Sequence, residues 1–362
     1  MIMFISFCVV NFNNGKYIRD CLESVLGQTD KDYEVIVVDD GSTDDSGSIC
    51  DEFQRLYTGR VSVFHQIQQG VSVARNTAIT HANGDWIFFI DGDDVISPFS
   101  VELLKKLELK EHNYVQFGYK SFKDGQDYSQ WDSTIKSTEI KNSTFILKRA
   151  IYSIAEEDDK RYRYPTILGK LFRKSFIISS DCRFVPGVVF SQDMIFCLNS
   201  FDHVGEVVLA DMCLYGYRLN NSAIASRYSP KLHNDVELVK SAFFSALESL
   251  ACKKDIDHYE KRVSLRIFAF VSKVIKCDIL HPENKRPLQD KAKDFENLID
   301  PATSQWISNL SMDDVDKTER LMLRFIKDRS FAYLRAYIFV LRRLQFIKKR
   351  LDVMIHRKKR SK

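Results

Sequence analysis

The chain has 362 residues, 44% hydrophobic and 28% charged, with a net charge of +4, an ordinary balance for a globular protein of one large domain with an appendage or two domains. No apolar run approaches the ~20 residues that cross a bilayer, which excludes a membrane-spanning helix. The eight cysteines are scattered without a C-x-x-C pair, which argues against a zinc ribbon or redox motif and for reduced, buried thiols in a cytoplasmic protein.

The opening MIMFISFCVV lacks a basic leader and runs straight into a polar NFNNG, so it reads as a buried strand rather than a signal peptide. Tyr17–Leu26 has helical spacing, with Ile18, Cys21, Leu22, Val25 and Leu26 on one side. Tyr33–Val38 is a second buried strand, Ser46–Leu56 a helix, and Val61–His65 a strand. Ser72–His81 is helical and Trp86–Ile90 is again a strand. Strands apolar on both faces and separated by helices predict a mostly parallel sheet flanked by helices, an α/β Rossmann-like architecture.

Further along, Val101–Leu109 reads as a helix and Tyr114–Tyr119 as a strand. A polar loop-rich stretch follows, then a helix over Asn142–Ile154 and a helix and Pro-Gly turn within Leu168–Phe190. Met194–Phe201 is helical, and Val207–Leu209 and Cys213–Tyr217 are two short strands. From about Ser229 the pattern is all helical, with Val236–Leu250 and Tyr259–Val274 the clearest amphipathic stretches. The expected division is 1–228 and 229–362, the first splitting into a nucleotide half (1–100) and an acceptor half (101–228).

Polar clusters fall where the strands end: Asn11–Asn14, Asp39–Asp45 and Asp91–Asp94. In open α/β sheets that edge is where ligands bind. In IFFIDGDD, Asp91, Asp93 and Asp94 are crowded enough to raise one another's pKa unless a cation intervenes. Hard oxygen ligands suit Mg²⁺ or Mn²⁺, and the bland alternative is a solvated turn.

The set VVNFNNGKYIRDCLESVLGQT, YEVIVVDDGSTDDS and GVSVARNTAITHANGDWIFFIDGDD resembles the donor domain of family 2 glycosyltransferases with the GT-A fold. The resemblance resumes at LGKLFRKSFI, FVPGVVFSQDMIF and LYGYRLNNSAI, reaching about residue 225. It implies an inverting, metal-dependent transferase that moves a sugar from a nucleotide diphosphate sugar, expected to be a UDP-sugar, to a hydroxyl. It places Phe12 and Asn13 near the base, Asp40 with Asp39 at uracil, and the Gly41-Ser42-Thr43 turn close to the nucleotide. Asp91-Gly92-Asp93 fills the DXD motif, with Asp93 on the metal, Asp91 at ribose or a metal-bound water, and Asp94 orienting the loop. Asp193 stands at the family's catalytic base, while Gln192 departs from the acidic residue expected before it.

The alternatives stay open residue by residue. Asp39 and Asp40 suit a turn or cap, a role Asp44 and Asp45 fit better than ligand binding. Arg75 suits donor phosphate and a structural ion pair equally. Asp193 would also suit a helix cap, and Lys170, Arg218 and Ser222 are candidate substrate contacts that could instead support the fold. A receiver domain is a rival, although its acidic pair should follow the first strand rather than the second. An inactive nucleotide-sugar-binding protein is another, and Gln192 is the residue that favours it.

Residues 319–362 carry 15 Lys and Arg against 3 Asp and Glu, a segment charge of +12, which leaves −8 on the remainder. Apolar residues interleave with the cations, as in helices lying on an anionic membrane surface. The expected setting is cytoplasmic and peripheral at the inner face of the cell membrane, with a glycan or lipid-linked acceptor. The alternative is a helix packed on the domain with a solvated basic face, and no nucleic-acid module is recognisable.

Overall fold

A computed structural model of the chain describes residues 3–152, 165–188, 191–219, 228–230, 232, 235–251, 260–317 and 319–343. The chain divides into two compact units, one of residues 1–222 with 241–254 and one of residues 223–240 with 255–362. Among the described residues no helix is long and apolar enough to cross a membrane.

The first unit is built on β1 (Ile5–Asn11), β2 (Tyr33–Asp39), β3 (Val61–His65) and β4 (Trp86–Asp91), joined by α1 (Ile18–Leu26), α2 (Ser46–Leu56) and α3 (Val71–His81). These four strands are mutually parallel. Every residue of β1 is buried, as a central strand covered on both faces must be. Phe7 packs edge-on against Tyr33 and tilted against Phe88, tying β1 to both neighbours through one apolar layer.

The sheet then extends through β5 (Val95–Ile96), β6 (Tyr114–Lys123), β7 (Thr138–Asn142), β8 (Lys170–Arg173) and β9 (Glu206–Leu219). Its spatial order is β3-β2-β1-β4-β8-β6-β9-β5, with β7 also paired to β9. β8 runs antiparallel to β4 and to β6, so it joins the parallel half to the rest. α4 (Ser100–Lys105), α5 (Ser143–Tyr152), α6 (Lys174–Ser179) and α7 (Gln192–His203) complete the layers. The sheet is therefore mixed but mostly parallel on its nucleotide half, as expected.

Several elements differ from the sequence reading. The helix expected to reach Leu109 ends at Lys105, although Leu107 and Leu109 continue the apolar spacing. β9 is one strand of 14 residues rather than two, because its pairing with β6 continues through register shifts at Phe117 to Tyr119. β7 and β8 carry no usable periodicity at five and four residues.

The second unit is helical. It holds the start of α8 (Asp235–Ala251), then α9 (Glu260–Val274), a π-turn at Ile275–Ile279, α10 (Leu288–Leu298), α11 (Pro301–Ser308) and α12 (Arg320–Lys327). A further helix covers residues 331–343. Asp300 caps α11 by accepting from the Thr303 N–H and also receives Lys240 at 2.7 Å. Residues 344–362, most of the basic tail, lie outside the described residues.

Candidate active site

The sheet order places β1 between β2 and β4, so the chain's crossovers leave in opposite directions there, the arrangement that opens a ligand crevice. Register brings the strand ends level: Asn11 lies opposite Asp39, Val10 opposite Asp91, and Asp39 opposite His65. Asn11 Nδ2 donates to Asp39 Oδ1 at 2.8 Å and to Ser46 Oγ at 3.0 Å. Ser42 Oγ donates to the same Asp39 oxygen at 2.5 Å. The other oxygen, Oδ2, is 3.1 Å from His65 Nδ1, whose Nε2 is 2.9 Å from Asp51. The Asp51 carboxylate, with Asp39 behind it, raises the His65 pKa. Asp39 is thus buried and committed to holding β1, β2 and β3 together.

Asp40 is equally buried, and its carboxylate accepts from Gln66 Nε2 at 2.7 Å, the Gln69 N–H at 2.8 Å and the Gly70 N–H at 2.7 Å. Three of its roughly four acceptor positions are taken by the loop that leads into α3. Gly41 follows at φ +73°, and a Cβ there would meet the Gln68 nitrogen at 2.8 Å, so the turn demands glycine. Asn13, itself at φ 52°, donates its N–H to Ser42 Oγ and accepts the Thr43 N–H at 2.8 Å. It latches the loop after β1 to the loop after β2, while Phe12 beside it is exposed. Asp44 accepts from the Ser46 and Gly15 N–H groups, consistent with its expected turn role, whereas the Asp45 side chain makes no cap bond to α2.

The Asp91–Asp94 turn separates its carboxylates by environment. Gly92 is packed so closely that a Cβ would come 2.9 Å from the Val10 carbonyl and 3.0 Å from Asn14 Nδ2. Asp94 is buried, accepting from the Tyr215 hydroxyl at 2.7 Å and the Arg218 N–H at 2.8 Å. Burial, with the Asp93 and Asp91 charges adding to it, pushes its pKa well above the usual carboxylate range. Asp91 and Asp93 are only partly covered and stand at the opening.

Arg218, a candidate substrate contact, has its side chain engaged within the protein. Its Nε donates to the Asp93 carbonyl at 2.8 Å, and its terminal nitrogens reach Asp20 at 2.9 Å and Asp124 at 3.5 Å. Its guanidinium lies over the rings of Tyr17 and Phe122 at 4.9 and 4.8 Å. Spent inside the protein in this way, it braces the turn from behind. Lys170, the first residue of β8, has no exposed surface. Ser222 lies outside the described residues.

Arg75, on α3, joins the two ends of the site. Its guanidinium holds Asp91 Oδ1 at 2.8 Å and Asp193 Oδ1 at 2.5 Å, with only 3% of its side chain exposed. The ring of Phe184 lies 5.2 Å from it. Burial disfavours the charge, but Asp193 and Asp91 outweigh this and raise its pKa. Asp193 is the second residue of α7, after Ser191 at φ 65° and Gln192, so it sits in the first turn rather than at the cap. Burial raises its pKa, Arg75 opposes this, and Asp91 adds to it. Asn76, next to Arg75, exchanges two hydrogen bonds with the Phe184 backbone and locks α3 to the segment before α7.

The sequence reading did not single out Tyr215 or the Gln66–Gly70 loop. Tyr215 lies in an ordinary strand pattern, and its two site bonds, to Asp94 and the Asp91 N–H, span more than 120 residues. The Gln-rich IQQG stretch was a visible but non-specific signal.

Among the described residues no group of three or more His, Cys, Asp or Glu side chains forms a ready metal cage. Asp91 and Asp93 nonetheless fit a Mg²⁺ or Mn²⁺ ion chemically. They are hard oxygen donors on one turn, and Asp91 gives only Oδ1 to Arg75. Such an ion takes one or two protein carboxylates and completes its shell with water and substrate phosphate oxygens.

Residues 6–180 match the family model described as glycosyl transferase family 2. The chain is 29% identical over 266 residues to the uncharacterized glycosyltransferase EpsJ of Bacillus subtilis (strain 168), covering 72% of this chain and 75% of that one. It is 32% identical over 232 residues to the putative glycosyltransferase EpsH of the same organism, covering 63% and 64%. Among solved structures, S. aureus TarS 1–349 in complex with UDP-GlcNAc superposes with a TM-score of 0.60 at 18% identity, over 94% of this chain and 92% of that one. That likeness carries the fold, GT-A. Residues 6–180 place the chain with glycosyl transferase family 2, and with these relatives they make it a glycosyltransferase that draws on a nucleotide sugar.

Proposed function

We propose that the protein is a divalent-metal-dependent, inverting transferase that moves a sugar from a UDP-sugar to a hydroxyl of a glycan or lipid-linked glycan, as in surface polysaccharide synthesis. The observation that carries this reading is the Arg75 bridge, which sets Asp91 of the DGDD turn and Asp193 of α7 on one guanidinium.

The nucleotide lies along the ends of β1, β2 and β4. Phe12 offers an exposed ring to the base, and Asn13 and Asp39 fix the two loops around it. Asp40 keeps one acceptor position for an imide N–H, the group uracil presents. Gly92, packed against the Val10 carbonyl, shapes the turn that offers Asp91 to the ribose. Asp91 and Asp93 would hold Mg²⁺ or Mn²⁺, which when bound neutralises charge on the leaving nucleoside diphosphate as a Lewis acid. Asp193 takes the proton from the acceptor hydroxyl; burial raises its pKa, which suits a base, and Arg75 limits that rise. One displacement with inversion needs no covalent sugar-enzyme intermediate. Gln192 contributes hydrogen bonding without charge beside the base. The UDP-GlcNAc bound in the TarS structure makes UDP-sugars the first donors to test.

The charge of residues 319–362 favours a cytoplasmic, peripheral position on an anionic membrane. The test of function is turnover of a panel of UDP-, GDP- and TDP-sugars with and without acceptor, with Mn²⁺ and with EDTA. Metal-dependent turnover of a UDP-sugar is expected. Donor binding with no turnover under any condition would instead favour the inactive binding protein that Gln192 suggests.

A further inference from the structure

The second unit contains a cavity of about 870 Å³ between α10 with its preceding loop and the helix over residues 331–343, a size usual for ligand pockets. Ala332 and Ala336, one turn apart on that helix, leave the space. Five cations enter the wall, Arg286, Lys291, Arg335, Arg342 and Arg343, and no Asp or Glu does.

Two of the five are answered locally. Arg286 lies 2.7 Å from Asp294, and Arg342 donates to the Leu280 and Lys276 carbonyls at 2.6 Å each. Among the described residues the others meet no acidic side chain: Lys291 donates to the Asn284 carbonyl, Arg343 lies over the Phe339 ring, and Arg335 forms no ion pair or hydrogen bond. Burial lowers the Lys291 pKa, and the neighbouring Arg286, Arg335 and Lys285 charges lower it further, as expected inside an uncompensated positive cluster. Leu288 and Phe339, at 47% and 58% exposure, flank the cavity with apolar surface. Residues 344–362 add eight Lys and Arg against Asp352 alone, so the sequence that follows brings the same sign of charge rather than an internal anion.

We propose that this cavity binds the phosphate headgroup of an anionic lipid, with the lipid's chain lying against Leu288 and Phe339. A free phosphate would satisfy the cations but leave the apolar rim uncovered, whereas an amphiphile satisfies both. The site uses no residue of the sheet-edge crevice, so it stands or falls apart from the sugar-transfer reading.

The test uses the full chain and two probes, short-chain dihexanoyl-phosphatidylglycerol and inorganic phosphate, by calorimetry, together with sedimentation on vesicles with and without phosphatidylglycerol. The lipid should bind and phosphate at the same concentration should not. Each cation near an anionic surface contributes roughly a fivefold factor in binding, so Lys291→Gln with Arg335→Gln should weaken the short lipid more than tenfold. Lys358→Gln with Lys359→Gln should leave that binding intact while reducing vesicle sedimentation. Arg335→Gln alone, at an exposed helix position, keeps the test readable if the double variant does not fold. Unchanged lipid affinity in the cavity variants, or phosphate binding as tight as lipid binding, would overturn the proposal.

Discussion

Arg75 and Asp193 meet at 2.5 Å although 118 residues separate them in the chain, and the same guanidinium holds Asp91 at 2.8 Å. The candidate base and the donor-side turn are therefore one electrostatic unit rather than two neighbouring groups.

Asp193→Asn keeps the shape and loses the proton acceptor. Transfer should fall about 10²–10⁴-fold in kcat, the usual range for a general base, with donor affinity changed only slightly. Single-turnover transfer and calorimetric donor binding check this, and a variant with wild-type kcat would remove Asp193 from the role.

Arg75→Met removes a buried charge at similar length and leaves two partly covered carboxylates without their partner. Breaking a buried pair in this way costs about 3–5 kcal/mol. Urea melts should report that loss, while Arg75→Lys, which keeps the charge but not the two-pronged geometry, should recover part of it. An unchanged midpoint for Arg75→Met would mean the bridge contributes nothing to stability.

Gly92→Ala puts a Cβ against the Val10 carbonyl and the Asn14 amide, neither of which is the free end of a long side chain. The turn must shift, carrying Asp91 and Asp93 with it. Donor affinity measured with Mn²⁺ should drop more than tenfold, since a displacement near 1 Å is enough for a large loss. Affinity within twofold of wild type would contradict the packing described.

His65 has a raised pKa because it faces Asp51 and Asp39. Its protonated form is favoured by folding, so its contribution to stability is complete below the unfolded value of about 6.5 and disappears as pH rises through the folded value. Unfolding free energy should decline across that window in the wild type and not in His65→Gln. Because His65 is half exposed, the decline is small, and denaturant titrations at closely spaced pH values are the suitable measurement.

The parallel half of the sheet was legible because β1, β2 and β4 are apolar on both faces and end in polar clusters. That pattern also located Asn11, Asp39 and Asp91 on one edge. β8 was hidden because four residues carry no periodicity, and β7 because all but one of its five side chains are exposed. Residue roles were less legible than residue positions. Arg218 and Lys170 occur in suggestive motifs, yet their burial is decided by Asp20, Asp124 and the strands around β8, which lie far away in sequence. The partnership of Arg75 with Asp193 is likewise tertiary, so the sequence left Arg75 balanced between two readings.

The length of the Arg75 connection also bears on how the protein is made. A ribosome adding 5–20 residues per second needs roughly 6–24 s to travel from Arg75 to Asp193. Asp91, only 16 residues on, emerges within about 1–3 s at the same rates. The nascent first half thus has one counter-ion for Arg75 early and waits for the other until α7 is synthesised. One arm of the bridge is available many seconds before the candidate base is made, and the Tyr215 and Arg218 supports of the Asp91–Asp94 turn follow later still.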